Sequence, residues 1–173
     1  RLSVPMPTAT PAVPRAMPQL DGIAPVIPGT GDNPIPDIFD AVSPSVVGVI
    51  NYVEMPVGDK EMLTVYGTGT GFLVSSDGYV LTNAHVVDGA QVVTVKLADG
   101  NEIDAEIIGS DTETDVAVLR VDAQGLQPLK CGNSEDVRVG EYVLAIGNPL
   151  DSDRLVNTLT FGIVSAKARE ITI

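Results

Sequence analysis

Residues 67–89 read GTGTGFLVSSDGYVLTNAHVVDG and hold the chain's only histidine, His85. Gly71, Phe72, Leu73 and Val74 make an apolar strand, and Ser76, Asp77 and Gly78 a turn whose glycine can take a positive φ. Tyr79 to Thr82 is the returning strand. Asn83, Ala84 and His85 stand at its end, before a short helix, where the backbone stops pairing and a side chain can point into a cleft. A lone histidine says little by itself. Thirty residues further on, Asp115 opens the alternating apolar run Val116, Ala117, Val118, Leu119. An aspartate there is well placed to be buried against an imidazole. A histidine base held by a buried aspartate is two thirds of a nucleophilic triad.

Working outward, the 173 residues suffice for one domain or one and a half, with a sizeable core. Glycine, valine and threonine are plentiful, aromatics are few and helical periodicity is nearly absent, which predicts an all-β chain of many short strands. The net charge of −13 argues against nucleic acid or an anionic membrane as partner, since both reward lysine and arginine. The one cysteine, Cys131, permits no internal disulfide and does not discriminate between compartments. No stretch is long and apolar enough to span a membrane. One histidine and one cysteine far apart make no metal constellation, and the acids around Asp111 and Glu113 lack calcium-loop spacing, so neither metal nor cofactor is expected. The glycine run at 67–71 is not a phosphate loop, because no lysine follows and no helix opens there.

In chain order, residues 1–33 differ from the rest. Eight of the thirteen prolines precede Pro36, which predicts a semi-rigid, Pro-rich linker. Residues 33–42 read as a short helix ended by Pro44. Ser45 to Tyr52 is a first strand and Glu54 to Glu61, with Pro56 and Gly58, a loop. Met62 to Tyr66 resumes alternation. Gln91 to Leu97 and Glu102 to Gly109 form a hairpin around Ala98 to Asn101, with Ile103, Ala105 and Ile107 on one face. With Val116 to Val121 this gives roughly six strands, enough for one small Greek-key barrel. After a crossover from Leu126, Tyr142 to Gly147 is an apolar strand, 150–156 a charged loop, and Asn157 to Ala168 another strand. Gly132, Asn133 and Ser134 echo a nucleophile motif, but no Gly-Gly follows Ser134.

Four runs together carry a resemblance: Thr82-Asn83-Ala84-His85-Val86-Val87, then Asp115-Val116-Ala117-Val118-Leu119, then Gly140 to Ile146 with Gly147-Asn148-Pro149, then Phe161-Gly162-Ile163-Val164-Ser165. In order and spacing, over about Asn33 to Glu170, the chain resembles the HtrA (DegP-like) family of trypsin-like serine proteases. The resemblance implies a chymotrypsin-like double β-barrel. Its first barrel would be complete in residues 34–125, and its second incomplete in residues 126–173. It implies His85 as general base and Asp115 as orienting acid. It also implies unfolded or misfolded protein substrates in the cell envelope, periplasmic or extracytoplasmic. For some members it implies a homotrimer of the complete protein and an upstream membrane anchor. One departure is large: the family's serine lies in Gly-Asn-Ser-Gly-Gly, and this sequence has no such motif. The serine is therefore expected beyond Ile173, with no hydrolysis from this polypeptide alone. Val143, Leu144, Ile146, Leu159, Ile163 and Val164 are expected to lack packing partners. Two other readings stay open. One is a half-protease without catalysis that acts as a binding or regulatory module; the other is an acidic β-barrel in which His85 and Asp115 are incidental.

Overall fold

A computed structural model describes residues 34–148 and 157–168. The linker expected at 1–33 and the charged loop expected at 150–156 lie outside the described residues. The first element is helix α1 (Ile35–Val42), entered at Pro34 and carrying Asp37 in its first turn, where a carboxylate suits the N-terminal dipole. A 3₁₀ turn, Ser43–Ser45, holds Pro44 and leads directly into β1 (Val46–Val57).

Six strands close into an antiparallel barrel: β1, β2 (Lys60–Leu73), β3 (Tyr79–Thr82), β4 (Val92–Lys96), β5 (Glu102–Asp111) and β6 (Val116–Val121). Their order around the barrel is β1-β2-β3-β6-β5-β4. Period-2 alternation explains the inward face. In β6, Ala117, Leu119 and Val121 are fully buried while Val116 is exposed. They meet Val47 and Val49 of β1, Leu73 of β2, Val80 of β3 and Val93 and Val95 of β4 in one cluster. Each valine or leucine among them contributes on the order of 1.5–3 kcal/mol by leaving water. The β2–β3 turn depends on Gly78. It takes φ +104°, and a side chain there would run into the carbonyl oxygen of Val121.

The first hairpin differs from the sequence expectation. Residues 54–61 are not a loop: β1 and β2 pair continuously out to Val57 and Lys60, with only Gly58 and Asp59 between them. The paired ribbon extends beyond the barrel, where β1 has left β4 and proline is tolerated on an exposed edge. Because this part is exposed, its polar residues need no inward face, so composition alone reads as loop.

The sheet jumps across the barrel mouth between β3 and β4. Helix α2 (Ala84–Val87) makes that crossing, lying against β1, β2 and β6. Beyond the barrel, β7 (Tyr142–Gly147) and β8 (Thr158–Ile163) form a separate two-stranded antiparallel sheet, so the second strand is shorter than the 157–168 expected. Tyr142, Phe161 and Ile163 on one face of this sheet are exposed, and so is Val143 on the other. Leu144 and Ile146 are a correction. They are half-buried and line a cavity of about 320 Å³ with Ile38 and Val42 of α1 and with Val46 and Phe72. The helix and the outside of the first barrel supply the partners that a single sheet lacks. Leu159 and Val164 are also half-buried.

Candidate active site

Strand register brings the two candidate residues together. β3 pairs with β6 so that Thr82 lies opposite Ala117. Continuing that antiparallel register carries the chain after Thr82 past the residues just before Val116. His85 on α2 and Asp115 at the mouth of β6 therefore share one end of the barrel. Thr82, itself buried, donates its hydroxyl to the carbonyl of Thr70 at 2.8 Å, fixing the end of the strand that feeds α2.

The pair is closely bonded. His85 Nδ1 lies 2.8 Å from Asp115 Oδ2 and 3.0 Å from Oδ1, and the His85 backbone N–H donates to Oδ1 at 3.0 Å. Asn83 completes the cradle. Its side-chain amide donates to Asp115 Oδ2 and to the Asp115 carbonyl, both at 3.1 Å. These bonds, led by the His85 backbone N–H and then its imidazole, hold the Asp115 carboxyl below the usual carboxylate range against the opposing cost of desolvation. An ionised carboxylate only accepts hydrogen bonds, so Nδ1 is the nitrogen that carries the proton. The other nitrogen, Nε2, makes no bond to any described residue, and the His85 side chain is 71% exposed.

Asp115 departs from the sequence expectation. It is not buried: its side chain is 34% exposed, and it sits at φ +55° in the loop before β6 instead of inside the strand. Aspartate tolerates this left-handed region better than most residues do. The loop is shaped by Asp111, which accepts from the Glu113 N–H at 2.9 Å and the Thr114 hydroxyl at 2.7 Å. These bonds keep the Asp111 carboxyl ionised to lower pH than usual, Thr114 first. Asp111 thus acts as a turn residue. Hydrogen bonds, not burial, orient Asp115. Asn83 is the member of this hydrogen-bonded group that spacing missed; its only signal is an amide directly before the Ala-His step.

Among the described residues no group of three or more histidine, cysteine or acidic side chains is placed to hold a metal ion. No described helix is long and apolar enough to cross a membrane. Ser134 lies in the crossover, outside the pair.

Comparison with known proteins follows the same outline. Residues 69–172 match the family model described as a trypsin-like peptidase domain. A probable periplasmic serine endoprotease DegP-like from Halomonas elongata is 52% identical over 103 residues, covering 60% of this chain and 21% of that protein. One from Pseudomonas savastanoi pv. phaseolicola is 49% identical over 114 residues, covering 66% of this chain and 23% of the relative. The putative serine protease HhoB of Synechocystis is 52% identical over 103 residues, covering 60% of this chain and 24% of its own length. The chain thus spans roughly a quarter or less of the curated relatives it matches. With a model matched over more than half of its length and a closed barrel that brings histidine and aspartate together, the chain belongs to the trypsin-like peptidase family.

Proposed function

We propose that this chain supplies the acid–base half of an HtrA-type serine endopeptidase, with His85 as general base and Asp115 as the acid that orients it. The observation that carries this reading is the 2.8 Å contact between His85 Nδ1 and Asp115 Oδ2, with Nε2 left open on an exposed ring. In that arrangement Nε2 takes the proton from a serine hydroxyl, which is unreactive at its own pKa, as the oxygen attacks the peptide carbonyl. Asp115 stabilises the imidazolium that forms. The same nitrogen then returns the proton to the departing amine. Asn83 holds the carboxylate through Oδ2, the oxygen nearest Nδ1, and the Asp115 backbone through its carbonyl.

No residue of the sequence matches the family's Gly-Asn-Ser-Gly-Gly serine, so residues 1–173 alone are proposed to be inactive. The substrates are unfolded or misfolded proteins in the cell envelope, in keeping with relatives named as periplasmic endoproteases. Division of the chain at 33/34 and 125/126, assembly into a homotrimer and an upstream anchor belong to the same reading. Sedimentation and membrane fractionation of the complete protein test the last two. The test of mechanism is hydrolysis of casein by the complete protein. His85→Ala is expected to cost about 10⁶-fold and Asp115→Asn about 10⁴-fold in rate. Hydrolysis at the unmodified rate in His85→Ala, or His85-dependent cleavage by residues 1–173 alone, would contradict the reading.

The exposed apolar face of β7 and β8 favours one second reading, a binding module without catalysis. Capture of unfolded casein by a complete protein that never cleaves it would support that reading over the first.

A further inference from the structure

We infer that Asn51 is a positioning residue for His85, an inference that rests on the reading of His85 as the base. In β1, positions 47, 49 and 51 share the face that looks into the barrel. Two are fully buried valines. The third is an asparagine, 1% exposed. An amide at a core position is costly unless it is bonded, and this one is bonded to the segment that carries the histidine. Its Nδ2 donates to the carbonyl of Val86 and to the carbonyl of Asp88, each at 3.1 Å. Those are the carbonyls one and three residues after His85.

Helix α2 has only four residues, so its last carbonyls have no partner inside the helix. Asn51 supplies one donor hydrogen to each of two of them. Both neighbours of Nδ2 are acceptors, which fixes the amide orientation and sends Oδ1 the other way. There Oδ1 is buried without a partner. A residue kept only for packing would not carry that cost; a valine would continue the pattern of Val47 and Val49.

The backbone is shaped for the same purpose. The β1–β2 register shifts at this point: Asn51 lies opposite Gly67 and Tyr52 opposite Val65, which leaves Tyr66 as the extra residue of a bulge. Bulges re-aim side chains, and this one sits where β1 meets α2. From the other strand, Gly69 leaves room for Val86. A Cβ at position 69 would lie 2.6 Å from Val86 Cγ2. Val86 is thus held through its carbonyl by β1 and through its side chain by β2, and the residue before it is His85. Fixing Val86 and Asp88 fixes the direction in which the imidazole leaves the helix, so that Nδ1 and the backbone N–H reach the two oxygens of Asp115 together.

Since His85 is the only histidine, ¹⁵N spectra of the imidazole read its tautomer without assignment. The chain is compared with Asn51→Leu, which keeps the size and removes the donor, and with Val95→Ala, which weakens the core at β4. The expected result is that Asn51→Leu loses the single Nδ1–H form and shows a mixture with Nε2–H, while Val95→Ala keeps it. An unmixed Nδ1–H form in Asn51→Leu, or equal loss in both variants, would overturn the inference. Should Asn51→Leu fail to fold, the unmodified chain still decides. Both Nδ2 hydrogens of Asn51 are expected to exchange with water at least about a hundredfold more slowly than a free side-chain amide, as buried bonded hydrogens do. Exchange at the free rate would overturn it. None of these readouts involves hydrolysis, so they fail independently of the protease reading, which stands or falls on His85→Ala in the complete protein.

Discussion

Strands β6 and β7 invert the usual relation between composition and burial. β7, Tyr-Val-Leu-Ala-Ile-Gly, has no charged residue, whereas β6, Val-Ala-Val-Leu-Arg-Val, carries Arg120. Yet Ala117, Leu119 and Val121 of β6 are fully buried, and Tyr142 and Val143 of β7 are 55% and 39% exposed. The cause is closure. β6 has a neighbour on each side, β3 and β5, and an opposite barrel wall to pack against. Among the described residues β7 pairs with β8 alone, and its apolar face is covered where Leu144 and Ile146 line the cavity beside α1 and β1. Apolar sequence says that a strand needs cover; topology decides whether it gets it.

Substitutions and a change of pH break or sharpen this contrast. Leu119→Ala should cost about 2–5 kcal/mol in urea unfolding, as a methylene-deleting change in a closed core does. Phe161→Ala, which loses the Tyr142 ring at 5.2 Å, should cost about 1 kcal/mol or less because Phe161 is itself 43% exposed. Equal costs would mean that β7 and β8 share the cooperative core. Gly69→Ala should cost about 1–3 kcal/mol by overpacking against Val86. Adding Val86→Ala should return part of that loss, with a coupling of about 0.5 kcal/mol or more in the double-mutant cycle.

The next effect depends on pH. The Asp115 carboxyl titrates below its ordinary value of 3.8 in the folded chain. Its bonds therefore add stability above that value and lose it as pH falls through the lower folded value. Asp115→Asn should remove that part of the acid limb, as measured by urea midpoints across pH. An unchanged acid limb would mean that the carboxylate gains nothing from His85 and Asn83. The smallest effect is expected at the open sheet. Ile163→Thr, on a side chain already 52% exposed, should change stability by no more than about 0.5 kcal/mol. A larger loss would show hidden cover over β8.

The parts legible in the sequence were those whose period or turn chemistry is local. Alternation in Val116 to Val121 and in Val92 to Lys96, and the glycine turns at 78 and 100, mark strands and their ends directly. Motif order then placed His85 and Asp115 in one site. The β1–β2 ribbon was illegible because residues 54–61 are exposed, and a strand outside the core has no reason to alternate. The true setting of Asp115 was also hidden. The pattern beginning at Val116 reads as if the aspartate opened the strand, whereas it stands at φ +55° in a turn made by Asp111. Asn83 and Asn51 were hidden for another reason: an asparagine can cap, turn or fill, and only the fold shows which carboxylate or carbonyl it meets.

The central claim is that the barrel presents His85 with its Nδ1 proton committed to Asp115. The most direct measurement is the ¹H and ¹⁵N signal of this single imidazole at neutral pH, in the chain and in Asp115→Asn. An imidazole protonated at Nδ1, with that preference lost in Asp115→Asn, is the expected result. A predominantly Nε2–H imidazole, or a spectrum unchanged by the substitution, would contradict the account.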